Sequence, residues 1–134
     1  MRIDAGQLRA FGERYTAAWC SQDAGRVAAF FSTRGSLTIN GGAPAVGRGP
    51  IQEVVQGFMT AFPDLVLTMD EVRVEGERIT YHWTFAGTNT GPAGIGRRVL
   101  FSGFEEWAIG SDGFIARSSG HFDEEDYRRQ LGGL

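Results

Sequence analysis

The stretch Gly113–Gly132, GFIARSSGHFDEEDYRRQLG, predicts a last β-strand followed by a short polar helix. Residues alternate between the two faces of a strand. One face would carry Ile115, Arg117, Ser119, His121 and Asp123, and the other Ala116, Ser118, Gly120 and Phe122. An Asp two residues from a His on one face suits acid–base chemistry. His121 and Asp123 are therefore the candidate catalytic pair, provided that the rest of the chain builds a pocket beneath them.

The residues before this stretch have the period-two pattern of antiparallel strands. Leu65–Val74, Arg78–Ala86 and Arg97–Ile109 are predicted strands, and glycine-rich turns separate them. Within Arg78–Ala86, alternation puts Tyr81 and Trp83 on one face and His82 on the other. These three strands and the last one are consecutive and antiparallel, and they predict a mixed or antiparallel sheet.

Helical spacing of apolar residues dominates the first half of the chain. Residues 4–20 predict a helix capped by Asp4, Asp23 caps a second short helix, and Gly49-Pro50 opens a third that Pro63 ends. Arg34–Ile39 is a candidate short strand. Helices followed by consecutive strands predict an α+β fold, in which a curved sheet wraps around three N-terminal helices and leaves a cavity at its open end.

Composition excludes several classes of function. The 134 residues include 42% hydrophobic and 22% charged residues with a net charge of −3, and no basic run suggests nucleic acid as a partner. No apolar run is long enough for a membrane span, and the first residues lack a signal pattern, so we expect a soluble cytoplasmic protein of one domain, 1–134. One cysteine and two histidines make a poor metal set, so no metal is expected.

Several segments together resemble a known family. They are Phe62-Pro63-Asp64-Leu65, the loop Gly87–Gly94, Arg97-Arg98, Asp112–Ile115, and Asp123 with Arg129–Gly132. In these segments the chain is similar to the SnoaL-like polyketide cyclases of the nuclear transport factor two-like (ketosteroid isomerase-like) superfamily. The resemblance covers residues 5–132. It implies a cone-shaped α+β fold with a deep apolar pocket, and commonly a homodimer packed sheet to sheet.

The resemblance also implies a chemistry. The family's cyclases use an acid–base Asp on the last strand, and Asp123 matches that position. Their aldol chemistry takes a proton from carbon between two carbonyl groups and needs no cofactor. The family's Gly-Thr-His-Thr-Gly loop carries Asn89 where His is usual. An Asn side chain can hold a carbonyl group but cannot transfer a proton near neutral pH.

A second comparison, with ketosteroid isomerase, is partial. Tyr15 resembles that enzyme's oxyanion-hole tyrosine, but no carboxylate stands near Ile39–Asn40, where its base would fall. Steroid isomerisation by that mechanism is therefore rejected. Asn40 remains a candidate amide donor to a substrate oxygen.

Each candidate polar residue has a structural alternative. Asp123 can cap the terminal helix, His121 can be a structural histidine, and His82 suits a surface or dimer interface. Glu105 and Glu106 face opposite ways in a strand. If alternation holds, Glu105 points inward, either as a structural carboxylate paired with Arg97, Arg117 or His121, or as a second acid.

The leading hypothesis is a small-molecule enzyme of the polyketide cyclase type, a lyase or isomerase that acts on an apolar, polycyclic or aromatic ligand. The alternative is a non-catalytic binding or dimeric accessory module of the same fold. The residues expected to contact the ligand are Tyr15, Trp19, Asn40, Phe58, Phe62, Trp83, Asn89, Glu105, Trp107 and Ser119.

Overall fold

A computed structural model describes residues 4–132 of the chain. In chain order the elements are α1 (Ala5–Cys20), α2 (Ala24–Ala28), β1 (Phe31–Ile39), β2 (Ala45–Val46), α3 (Arg48–Ala61), β3 (Val66–Glu75), β4 (Arg78–Thr88), β5 (Arg98–Ile109), β6 (Ile115–Phe122) and α4 (Glu124–Gln130). The predicted α+β class, with three helices before the main strands and a short helix after them, is confirmed.

Aspartate caps start three of the helices. Asp4 and Gln7 form a reciprocal capping box at α1, and the Asp23 side chain accepts a hydrogen bond from the Gly25 amide at α2. Asp123 does the same for the Asp126 amide at α4. Such caps satisfy backbone amides that have no partner inside the helix, which explains why these helices begin where the sequence predicts.

The described residues form one curled, unclosed sheet with the strand order β2-β1-β6-β5-β4-β3. The pairs from β3 to β6 are antiparallel, as predicted, but β1 joins the sheet by pairing parallel to β6. Such a pairing joins distant parts of the chain, so local patterns could not reveal it. The sheet is therefore mixed, within the predicted class, and the candidate strand at Arg34–Ile39 belongs to it as part of β1.

The helices pack against the inner face of this sheet. The apolar stripes of α1 and α3 are buried, including Leu8 and Tyr15 on the first and Ile51 and Val55 on the second. Alternate residues of β4, among them Tyr81, are buried beneath them. Burial of these side chains is the main favourable free energy that holds the layers together.

A β-bulge in β6 changes which residues face inward. Arg117 pairs with Ala108 and Ile115 with Ile109, so Ala116 is an extra residue with no partner. After this point Ser118 is completely buried, whereas Arg117 is exposed. The predicted strict alternation along β6 is therefore wrong, because one extra residue reverses the two faces. Among residues 4–132, no helix is both long and apolar enough to cross a membrane.

Candidate functional site

A cavity of about 60 Å³ lies between the helices and the inner face of the sheet. Its walls are mostly aromatic, and they include Trp19, Phe58, Trp83, Phe85, Phe101 and Phe122. Trp83 lies across Gly103 of the neighbouring strand, where a Cβ atom would come within 2.6 Å of the indole ring. Glu105 is the single carboxylic acid among the described residues that line the cavity. The cavity is thus apolar, and one titratable carboxyl group lies on its wall.

Glu105 reaches the cavity because β5 alternates regularly. Val99, Phe101, Glu105 and Trp107 are buried on the inner face, as the sequence predicts. The residue opposite Glu105 on β6 is Gly120, which has no side chain to fill the space. The Glu105 side chain is only 7% exposed. Alternation therefore holds along this part of β5, and Glu105, not Glu106, is the residue that faces inward.

Neutral donors hold the Glu105 carboxyl group. The Tyr15 hydroxyl donates at 3.0 Å to Oε1 and 3.1 Å to Oε2, the Trp107 indole donates at 3.0 Å to Oε1, and the Ser118 hydroxyl donates at 2.6 Å to Oε1. The expected ionic partners, Arg97, Arg117 and His121, are not bonded to it. The bulge explains the difference for β6, because it turns Ser118 inward and Arg117 outward.

The two oxygens of Glu105 differ in what they can still bind. Oε1 accepts from three donors, whereas among the described residues Oε2 accepts only the longer contact from Tyr15. A carboxylate offers about four acceptor positions in total. Oε2 is therefore the oxygen that retains capacity for a ligand.

Burial sets the electrostatics of this group. Desolvation raises the pKa of Glu105, and the hydrogen bonds from Ser118, Trp107 and Tyr15 oppose this rise without cancelling it. Burial, and next the charge of Glu105, raise the pKa of Tyr15 well above its usual value. Tyr15 therefore remains a protonated donor, and Glu105 can change its ionisation closer to neutral pH than an exposed glutamate.

The predicted catalytic pair lies outside the cavity. The Asp123 side chain is exposed and accepts a hydrogen bond from the Asp126 amide at 3.1 Å, which is its role as the cap of α4. His121 is exposed on the outer face of the sheet and stacks on Phe104, with 4.9 Å between ring centroids. The predicted position of both residues in a pocket is wrong, because the bulge at Ala116 reverses the strand.

Five of the predicted ligand contacts do line the cavity. They are Tyr15, Trp19, Phe58, Trp83 and Glu105. Trp107 is buried next to them and contributes its indole N–H to Glu105. Phe62 is buried against Phe85, with ring centroids 5.2 Å apart, and does not border the cavity.

The remaining three predicted contacts lie elsewhere. Ser119 is half-buried on the opposite face of β6 from the completely buried Ser118. Asn89 pairs through its backbone with Arg97 and Gly96 and closes the loop between β4 and β5. Asn40 uses Oδ1 to accept a hydrogen bond from the Phe122 amide at 2.9 Å. None of the three borders the cavity, because each is committed to the sheet or to a turn at its margin.

Ser118 is the functional residue that sequence reasoning missed. Strict alternation put it on the outer face, and no turn signal marks the bulge at Ala116. The need of an inward Glu105 for a hydrogen-bond donor is the one signal that could have pointed to it.

Two buried donors have no hydrogen-bond partner within residues 4–132. They are Nε1 of Trp19 and Nδ2 of Asn40. The Trp19 indole points toward the Tyr15 hydroxyl and opposes the rise in its pKa, but without hydrogen-bond geometry. The described part of the chain contains no cluster of three or more His, Cys, Asp or Glu side chains that could hold a metal ion.

Similar structures share this architecture over almost their whole length. TsrD from Streptomyces laurentii superposes with a TM-score of 0.83 and 26% identity, covering 99% of this chain and 100% of that one. A hypothetical protein with a ketosteroid isomerase-like fold from Catenulispora acidiphila, in complex with trimethylamine, superposes with a TM-score of 0.78 and 15% identity, covering 92% of this chain and 93% of that one. An NTF2-like protein from Burkholderia pseudomallei superposes with a TM-score of 0.77 and 19% identity, covering 92% of this chain and 95% of that one.

The comparison of sequences leads to a family. A search of curated protein sequences gave no match. The family model for SnoaL-like polyketide cyclases matches residues 10–131. Together with the curled sheet and the aromatic cavity, this match shows that the chain belongs to the SnoaL-like polyketide cyclase family.

Proposed function

We propose that this protein is a cofactor-free enzyme that uses Glu105 as the acid–base group on a small carbonyl compound. The observation that carries the proposal is the buried Glu105 carboxyl group on the wall of an aromatic cavity, with Oε2 still able to bind. Glu105 takes the role that the sequence assigned to Asp123.

The environment of Glu105 suits proton transfer. A general base works best when its pKa is near the working pH, and burial moves the pKa of Glu105 in that direction. Positioned acid–base groups of this kind contribute a rate gain of roughly 10²–10⁴-fold. Three hydrogen bonds to Oε1 fix the carboxyl group in one orientation, so that less entropy is lost when substrate binds.

The reaction follows from the two ionisation states of Glu105, the carboxylate as base and the carboxylic acid as acid. The carboxylate takes a proton from the carbon next to a carbonyl group, and the resulting carboxylic acid returns a proton to carbon or oxygen. An aldol-type ring closure uses the same two steps, with carbon–carbon bond formation between them. Neither step needs an electron acceptor.

The cavity restricts the ligand. Small-molecule pockets usually enclose roughly 300–1,000 Å³, so a chamber of about 60 Å³ accepts only part of a polycyclic molecule unless the aromatic walls move. Flat rings pack well against aromatic side chains. The ligand class that fits is therefore an apolar aromatic ketone whose carbonyl end enters first.

A non-catalytic binding module is the second candidate function. It is favoured by the number of donors already bonded to Oε1 of Glu105, because the same bonds would stabilise a purely structural carboxyl group. In that case the cavity would hold a ligand without turning it over.

The proposed location of the protein is the cytoplasm. Its proposed partner is a second copy of the chain. The outer face of the sheet carries Phe104, His82 and His121, with Leu100 63% exposed nearby. Family members commonly pair sheet to sheet, which would cover this face. Light scattering should give twice the chain mass, and Leu100→Arg should return the monomer. A wild-type monomer at micromolar concentration would contradict this proposal.

Exchange of hydrogen for deuterium tests the enzymatic proposal without knowledge of the natural substrate. The probe is 2-indanone, a small aromatic ketone, and NMR follows the loss of its α-proton signal in D₂O. We expect Glu105→Gln to lower the enzyme-dependent rate by about 100-fold. Glu106→Gln is the matched control, because Glu106 is the next residue and faces outward beside Arg78.

Two results would contradict the proposal. If Glu105→Gln folds and retains the wild-type exchange rate, Glu105 is not the acid–base group. If 2-indanone binds to the wild type without any exchange above the rate in buffer, the binding module replaces the enzyme as the best description.

A further inference from the structure

The described strands contain glycines at Gly35, Gly87, Gly103 and Gly120. A glycine inside a strand weakens it, because glycine has no side chain to pack and loses the most conformational freedom on folding. Such a glycine often marks the close approach of another backbone, a side chain or a ligand. The atoms that an added side chain would meet show which of these applies at each position.

Packing within the protein explains the first three of these glycines. At Gly35 and Gly103, a Cβ atom would lie 2.8 Å and 2.3 Å from a carbonyl oxygen of the neighbouring strand. At Gly87 it would lie 3.2 Å from the Phe62 side chain. These separations are shorter than ordinary van der Waals contact, so a side chain would fit at none of the three without a shift of the neighbouring atoms.

Gly120 differs from the other three. The atoms nearest to a Cβ at this position would be the carbonyl oxygen of Thr38 at 3.5 Å and Cγ of Glu105 at 3.9 Å. Both separations are ordinary van der Waals contacts. The φ angle of Gly120 also lies outside the left-handed region that favours glycine. Neither packing nor backbone conformation therefore explains why this position has no side chain.

The space that Gly120 leaves open belongs to the cavity. Gly120 is buried and lines the cavity. It pairs with Glu105 on β5 and with Ile39 on β1, and both of these residues also line the cavity. Residues directly opposite each other in an antiparallel pair point to the same face of the sheet. The missing side chain therefore leaves a slot, bounded by Gly120, Ile39 and Glu105, that opens into the cavity.

We infer that this slot accepts an alkyl substituent on the α-carbon of the substrate, the carbon next to its carbonyl group, and that Gly120 is the specificity-determining residue that admits such ketones. The inference rests on the proposed function, since it names the class of ketone that the Glu105 site takes. An atom in the place of the missing Cβ lies 3.9 Å from Cγ of Glu105. A substituent in the slot therefore lies beside the side chain that removes the α-proton, and a side chain at position 120 would compete for the same space.

Binding measurements with two ketones test the inference separately from catalysis. 1-Methyl-2-indanone differs from 2-indanone by one methyl group on an α-carbon. The wild type should bind the methylated ketone more tightly, by up to about fourfold, because the methyl group is buried in the slot. We expect Gly120→Ala to weaken the binding of 1-methyl-2-indanone by about tenfold, because the two methyl groups compete for one space. Binding of 2-indanone should change by less than about twofold.

Ser119→Ala is the matched control for binding, since Ser119 is the preceding residue of β6 and lies on the opposite face. It should change the affinity for each ketone by less than about twofold. Gly103→Ala is the control for stability. Gly120→Ala should keep or raise the wild-type midpoint of urea unfolding, because alanine loses less conformational freedom on folding, whereas Gly103→Ala should lower it.

An NMR measurement on the wild type does not depend on how well the variants fold. The methyl group of 1-methyl-2-indanone should give a nuclear Overhauser effect to the Hα atoms of Gly120, because one of these atoms points in the direction of the missing Cβ. A methyl group elsewhere in the cavity would give none.

Several outcomes would overturn the inference. Equal loss of affinity for the two ketones in Gly120→Ala, or no loss for either, would show that the slot does not select the α-substituent. A fall in the unfolding midpoint as large as that of Gly103→Ala would assign Gly120 a structural role instead. Absence of the nuclear Overhauser effect with the ketone bound would also contradict it. Failure of the proposed function is distinguishable, because it leaves exchange unchanged in Glu105→Gln, whatever the ratio of ketone affinities in Gly120→Ala.

Discussion

Tyr15 and Glu105 are joined by hydrogen bonds although 90 residues separate them in the chain. The hydroxyl on α1 donates at 3.0 Å and 3.1 Å to the two oxygens of the carboxyl group on β5. This contact connects the helical layer to the sheet at the wall of the cavity, so it contributes to both stability and the properties of the site.

Removal of the Tyr15 hydroxyl should affect both the stability of the protein and the properties of the site. We expect Tyr15→Phe to lower the free energy of unfolding by about 1–2 kcal/mol, measured by urea denaturation. The pH profile of 2-indanone exchange should also shift to higher pH, because a hydrogen bond that favours the carboxylate is lost. Tyr127→Phe is the control, since Tyr127 packs against Phe101 and burial, not a hydrogen bond within residues 4–132, raises the pKa of its hydroxyl. An unchanged pH profile in Tyr15→Phe would show that Tyr15 does not act on Glu105.

The stability of the protein should depend on pH through Glu105. Its pKa in the folded state is raised above the usual value of 4.5, so the folded state holds this proton more tightly than the unfolded state. The contribution is fully present below pH 4.5 and is lost as pH rises from there through the folded-state pKa. The wild-type protein should therefore lose stability relative to Glu105→Gln over this window. Urea unfolding at a series of pH values checks the sign, and a constant difference between the two proteins would contradict it.

Ser118 and Ser119 provide a test of the bulge. Ser118 is completely buried and donates to Glu105 at 2.6 Å, whereas Ser119 lies on the other face. We expect Ser118→Ala to cost about 1–3 kcal/mol of unfolding free energy and Ser119→Ala less than about 0.5 kcal/mol. If the two variants lose the same stability, the described register of β6 is wrong.

Asp123 should behave as a helix cap. Asp123→Ala should cost about 1 kcal/mol of stability, because the first turn of α4 loses the acceptor for the Asp126 amide. Asp123→Ser, which retains a capping oxygen, should recover most of this loss. Neither change should lower the rate of 2-indanone exchange by more than about twofold. A large loss of exchange in both variants, with stability preserved in Asp123→Ser, would return Asp123 to the catalytic role.

The candidate site was predictable wherever the strand pattern was regular. Alternation along β5 grouped Glu105 on one face with Phe101 and Trp107, and helical spacing grouped Tyr15 and Trp19 on one side of α1. The same reasoning failed for β6, because a single extra residue, Ala116, reverses every side chain after it. The bulge depends on how β6 pairs with β5, and no local sequence feature at Ala116 predicts it.

The sequence by itself determined the α+β class, the capped helices, the order of the strands in the chain and the family. Those features depend on periodicity, on capping residues and on motifs that are local in the chain. Only the tertiary structure decided that Glu105 is the buried carboxyl group and that Asp123 is exposed. The reason is that burial of a side chain depends on strand register, and register is settled by pairing between residues far apart in sequence.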